Sequence, residues 1–141
     1  MNKKFVISVV VLFVASMVFG IVVHGMLLGA DYEKLQGLFR SPADHQAYFP
    51  YMLAAHVLAA VGLTWIYRAG RDSRPWLGQG VRFGLALVVM VTIPNYLIYF
   101  AVEQLPSDLV AKQIALVAVA MVVIGIVAAA LNRLPGASRG A

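Results

Sequence analysis

Apolar and polar positions alternate along this chain in long blocks, not residue by residue. A first apolar run extends from Phe5 to about Gly29 and contains no charged residue, only His24. A second extends from about Phe49 to Tyr67, a third from about Phe83 to Val102, and a fourth from about Leu109 to Leu131. A helix needs about 20 mostly apolar residues to cross a bilayer, and all four runs meet that length. Backbone groups in lipid must bond within their own segment, and no period-2 alternation suggests a barrel, so the runs predict helices. Together they predict an all-α, four-helix transmembrane bundle forming a single domain over residues 1–134, followed by a short tail over 135–141.

The first run competes with a signal peptide, because Asn2-Lys3-Lys4 precedes it. It is longer than the roughly 7–15 apolar residues of a signal h-region, and no A-x-A site follows, so a retained helix is expected. The segment from Ala30 to Tyr48 is the longest connection. Tyr32, Leu35, Leu38 and Phe39 recur there at helical spacing, which predicts a short interfacial helix with its apolar side down. Ser41-Pro42-Ala43-Asp44 reads as an N-cap, a first-turn proline and an acidic third position, so the second helix is expected to begin near Pro42 and to kink or break at Pro50. Ser107 or Asp108 is expected to cap the fourth helix. Trp65 and Trp76 are candidate interfacial anchors. Pro94 removes an N–H within the third run and predicts a kink.

Composition agrees with the pattern. The chain has 141 residues, 62% hydrophobic and 12% charged. A soluble domain carries about 25% charged residues, so too few polar groups exist here to cover a water-facing surface. The absence of cysteine excludes disulfides, thiol nucleophiles and Cys-ligated metals. The formal net charge of +5 changes the picture through its distribution. With the N-terminus inside, the inner side holds eight basic residues (Lys3, Lys4, Arg68, Arg71, Arg74, Arg82, Arg133 and Arg139) against three outside, Lys34, Arg40 and Lys112. Five of the six acidic residues fall outside and only Asp72 inside. The positive-inside rule then predicts both termini in the cytoplasm, facing anionic lipid. The basic residues are spread over three short segments, which argues against nucleic acid as a partner.

Gly25-x-x-x-Gly29, Gly80-x-x-x-Gly84 and Gly125-x-x-x-Ala129 have the spacing that lets helix backbones approach closely in lipid. They serve packing within the bundle or an interface with a second copy or a larger membrane partner.

Polar side chains within the apolar runs define the candidate chemistry, since they cost free energy in hydrocarbon. At about 1.5 Å per residue, His24 lies roughly 7 Å and His56 roughly 10 Å from the outer surface. Thr92, Tyr96, Tyr99 and Glu103 recur at intervals that share one helical face, with Asn95 beside them. Lys112 and Gln113 join at the outer end of the fourth helix. The candidate ligand-binding residues are therefore His24, His56, Asn95, Tyr96, Tyr99 and Glu103. Three readings are open: interhelical hydrogen bonds with Glu103 paired to Lys112, an outward pocket for a quinone or lipid, or a haem held by His24 and His56. No phosphate loop, HExxH or GxSxG motif points to an enzyme. No metal ligand set or catalytic residue is assigned, and no cofactor is identified.

The stretch from Gly20 to Tyr32, with His24 and the Leu27-Leu28-Gly29 turn, together with Gln79-Gly80-Val81-Arg82-Phe83-Gly84, resembles the DUF1761-like group of small four-helix bacterial membrane proteins. The resemblance covers most of the chain in layout. It implies a multi-pass protein of the bacterial inner membrane and supplies no activity or catalytic residue. The expectation is a structural or accessory membrane protein.

Overall fold

The structure is a computed structural model and describes residues 2–35, 37–40 and 42–134. The tail over 135–141 and Ser41, the expected cap of the second helix, lie outside the described residues. The regular elements of the described chain are α1 (Lys3–Gly20), a π segment (Ile21–Leu27), α2 (Gly29–Glu33), α3 (Pro42–Gly70), α4 (Trp76–Leu87), a second π segment (Val88–Thr92), α5 (Ile93–Val102) and α6 (Ser107–Leu131), all of them helical. Four continuous helical stretches, Lys3–Leu27, Asp44–Gly70, Trp76–Val102 and Ser107–Leu131, are long and apolar enough to cross a membrane.

The packing is inside-out relative to a water-soluble bundle. Large apolar side chains dominate the exterior, with Leu58 72%, Met90 76% and Val102 73% exposed. In water each would forfeit roughly 1.5–3 kcal/mol of burial, whereas lipid is as apolar as they are. These are the features of a multi-pass helical membrane protein.

Glycine sets the tightest contact, between α4 and α6. A Cβ built at Gly84 would lie 2.5 Å from the Val122 Cα and 2.8 Å from the Met121 carbonyl oxygen. One at Gly80 would lie 2.8 Å from the Ile126 Cα, and one at Gly125 would collide with the Gly80 carbonyl oxygen. The Gly80/Gly84 and Gly125/Ala129 patterns therefore face each other within the bundle, where only hydrogen fits. Gly25 and Gly29 differ: a Cβ at Gly25 meets nothing closer than 4.0 Å and one at Gly29 meets nothing.

Both π segments have local consequences. In the third span Pro94 offers no N–H to the Met90 carbonyl, and its ring crowds that turn. The helix widens before it: the N–H of Ile93 bonds to the carbonyl of Val88, five residues back. The expected kink is thus a π bulge. The π segment of the first span was not legible in the sequence. There the Leu28 N–H bonds to the Val23 carbonyl at 3.0 Å, turning both side chains into a cluster with Leu105, Leu109 and Val110. A second cluster, Leu12, Ala60, Tyr67, Ile124, Ala128 and Ala129, holds the other half of the bundle.

Several boundaries differ from the sequence reading. The third span begins at Trp76, not Phe83, because Gly78 and Gly80 sit inside α4. α3 runs unbroken through Pro50. The interfacial helix shrinks to the five residues of α2; Tyr32 and Leu35 pack inward while Leu38 and Phe39 stay exposed. Pro106, not Ser107 or Asp108, is the N-cap of α6, and no side chain caps it. Trp76 is half-buried under the Arg133 guanidinium, 3.8 Å from its ring centroid, while Trp65 stays exposed as an anchor would.

Candidate functional site

The candidate residues separate into two places. His24 sits in the first π segment, and its Nδ1 is 2.7 Å from the Tyr32 hydroxyl, with the two rings stacked at 6.0 Å between centroids. The Tyr32 hydroxyl accepts from Gln113 Nε2 on α6 at 3.1 Å. The Tyr32 hydroxyl thus bridges His24 on the first span and Gln113 on α6. The other polar atom of the Gln113 amide, Oε1, is buried without a partner among the described residues. Beside it, Lys112 Nζ reaches Asp31 Oδ2 at 2.9 Å and Asp108 Oδ2 at 3.8 Å. Burial raises the Tyr32 phenol above its usual range, and the hydrogen bond from Lys112 holds the Asp31 carboxyl below its own.

His56 is elsewhere. Its Nδ1 lies 2.9 Å from Ser16 Oγ, and its ring lies over Gly20, one helical turn before His24 along the first span. Each histidine thus has its own hydroxyl partner through Nδ1. Among the described residues no group of three His, Cys, Asp or Glu side chains could hold a metal ion.

The third-helix face converges only in part. Thr92 is buried and Tyr96 half-buried against the cluster that holds Leu105 and Leu109, but Asn95 and Tyr99 are exposed. Asn95, Tyr96 and Tyr99 share the unbroken α5, so the rotation of that helix turns only Tyr96 of the three toward the cluster. Glu103 takes an extended backbone at the C-cap of α5, and among the described residues its side chain forms no ion pair. The expected Glu103–Lys112 pair is therefore replaced by Asp31–Lys112, because α2 folds back over the start of α6.

The sequence reading missed a polar cluster at the opposite end. Asn132, 2% exposed, closes α6. Its Oδ1 lies 3.3 Å from Ser8 Oγ of α1, its Nδ2 donates to the Ala128 carbonyl at 2.9 Å, and its backbone carbonyl accepts from Arg71 Nη1 at 2.6 Å. One residue thus ties three spans. The available signal was a pair of isolated polar residues, Ser8 near the start of the first run and Asn132 just past the end of the last. Two cavities open at this end, one of about 300 Å³ between α3 and α4 and one of about 350 Å³ lined by Asn2, Phe5, Trp65, Arg68 and Ala69.

Fold and site together define a small multi-pass helical membrane protein with hydrogen-bonded polar clusters at both ends. Comparison with protein-family models, curated proteins and solved structures finds no match to this chain.

Proposed function

We propose that this chain is a non-enzymatic, structural or accessory membrane protein that packs in the bilayer with a second copy or a larger membrane partner. The observation that carries the reading is how its intramembrane polar side chains are used. His24 bonds to Tyr32, His56 to Ser16, and Asn132 to Ser8, each within the bundle. Such bonds contribute about 0.6 kcal/mol apiece and serve helix association. Among the described residues they bring no acid, base and nucleophile together. The proposed setting is a bacterial inner membrane with both termini cytoplasmic, in keeping with the resemblance to the DUF1761-like group. Charge supports the orientation: Lys3, Lys4, Arg68, Arg71, Arg74, Arg82 and Arg133 against Asp72 flank one end of the spans.

One atom favours a second reading, an outward pocket for a quinone, lipid or similar amphiphile. Gln113 Oε1, buried and without a partner among the described residues, can accept a bond from a ligand hydroxyl beside Tyr32 and His24, such as that of a reduced quinone or a lipid headgroup.

Native mass spectrometry of gently extracted protein separates the readings. A homo-oligomer or a stoichiometric second polypeptide is the expected result. A reproducible small-molecule mass that vanishes in both His24→Ala and Tyr32→Phe overturns the accessory reading. Orientation is checked on the naturally cysteine-free chain. Gln104→Cys should react with an impermeant maleimide added to intact cells, and Ser73→Cys should not; the reverse pattern overturns the topology.

A further inference from the structure

Residues 71–75 join α3 to α4 through a braced loop. Gln79, in the first turns of α4, reaches back to it: its Oε1 accepts from the Asp72 N–H at 3.0 Å, and its Nε2 donates to the carbonyls of Asp72 at 3.1 Å and Arg74 at 2.6 Å. Asp72 tightens the same loop, its Oδ1 accepting from the Arg74 N–H at 2.8 Å and its Oδ2 pairing with Arg74 Nε at 2.9 Å. The loop is thereby held in one shape without a core of its own.

That shape forms one side of the open cleft of about 300 Å³. Arg71, Arg74 and Arg82 line it on the polar side, and Ile66, Tyr67 and Phe83 form an apolar wall, the two rings meeting edge-on at 5.3 Å. Three guanidinium groups face one carboxylate, that of Asp72. Arg71 is anchored through a single N–H to the Asn132 carbonyl, which leaves four of a guanidinium's five donors for other partners. Arg82 forms no hydrogen bond or ion pair among the described residues. The cavity lies where two spans end, at the depth of lipid headgroups. Guanidinium recognises phosphate through paired N–H bonds, and basic pockets between membrane helices bind anionic headgroups.

We propose that this pocket binds the phosphate group of an anionic amphiphile, with the phosphate on Arg71, Arg74 and Arg82 and the hydrocarbon against Ile66, Tyr67 and Phe83. The shared chemistry is a phosphate anion, supplied by a membrane phospholipid or by free phosphate. The inference rests neither on the accessory reading nor on which side the termini face.

The test uses the full chain in uncharged detergent micelles, titrated separately with phosphatidylglycerol, phosphatidylcholine and inorganic phosphate, and read by native mass spectrometry. Phosphatidylglycerol should bind at least about ten-fold more tightly than phosphatidylcholine, and Arg82→Gln should weaken it about five-fold. Lys3→Gln removes the same charge at the same end but outside the pocket, and should change binding by less than about two-fold. Arg74→Gln should also weaken binding, because it leaves Asp72 uncompensated at the rim, and it replaces Arg82→Gln if that variant does not fold. Binding of phosphatidylglycerol that inorganic phosphate does not displace supports the lipid source. Binding of inorganic phosphate that depends on Arg82 supports a soluble source for the same site. Equal binding of the two lipids with no binding of inorganic phosphate overturns the proposal. So does a loss in Lys3→Gln as large as in Arg82→Gln, which would mean diffuse attraction to a basic surface.

Discussion

Gly84→Ala probes the contact on which the bundle depends most. The added methyl would lie 2.5 Å from the Val122 Cα, 2.8 Å from the Met121 carbonyl oxygen and 3.1 Å from the Val122 nitrogen. Carbon atoms pack best at about 3.5–4.0 Å, so α4 and α6 must separate by roughly 1 Å. All three neighbours are backbone atoms, and no rotamer change can relieve them. A gap of that size forfeits a quarter to a half of each dispersion contact along the interface. Overpacking costs typically about 1–3 kcal/mol, and the backbone character of this clash puts it at the upper end. Alanine returns up to about 1 kcal/mol of helix propensity, leaving a net loss near 2 kcal/mol. Gly125→Ala should behave alike, since its methyl would meet the Gly80 carbonyl oxygen and the Gly84 nitrogen. Gly62→Ala and Gly78→Ala are the controls, with nothing within 4 Å of the new atom, and should be neutral or slightly stabilising. The assay is denaturant-induced unfolding in mixed micelles, followed by tryptophan fluorescence in a Trp65→Phe background, which isolates Trp76 at the start of α4. Equal stability of Gly84→Ala and wild type, or equal damage from Gly62→Ala, would refute the reasoning.

Further perturbations address the polar clusters. Asn132→Ala should cost about 1 kcal/mol and Ser8→Ala about half that, with a coupling near 0.6 kcal/mol in a double-mutant cycle of unfolding free energies. His24→Ala and His56→Ala should be additive in the same assay, because their partners are Tyr32 and Ser16; a strong coupling would mean a shared site. Lys112 holds the Asp31 carboxyl below its ordinary value of 3.8. The unfolded chain therefore takes up this proton first as pH falls. The stabilisation is complete above the ordinary value and disappears as pH drops through the lower folded one. Thermal midpoints measured from about pH 5 down to about pH 3 should fall less steeply in Asp31→Asn than in wild type.

Hydrophobic patterning alone determined the class of this protein and the number of its spans. Length against bilayer thickness leaves few alternatives, and four uninterrupted apolar runs with so few charges leave no soluble fold to compete. The break at Pro94 was legible because a missing N–H is a local fact, although only the structure shows it as a π bulge. The glycine spacings were legible as motifs, but which would touch was not. Gly80, Gly84 and Gly125 interlock while Gly25 stands open, and that depends on the rotation of each helix about its axis. An apolar run in lipid carries almost no information about that rotation, since every face is tolerated.

The site was less legible for the same reason. His24, His56, Tyr96 and Glu103 share a depth range on paper, and depth is all that a linear sequence supplies. Tertiary structure chose their partners. The π turn at Ile21–Leu27 and the fold-back of α2 bring Tyr32 to His24 and Gln113, and Asp31 rather than Glu103 to Lys112. At the other end, the antiparallel return of α6 sets Asn132 against Ser8, 124 residues away in the chain. Burial of apolar surface is additive along the sequence and can be summed from it. A hydrogen bond or an ion pair needs two groups within about 3 Å, and that distance exists only once the helices have packed.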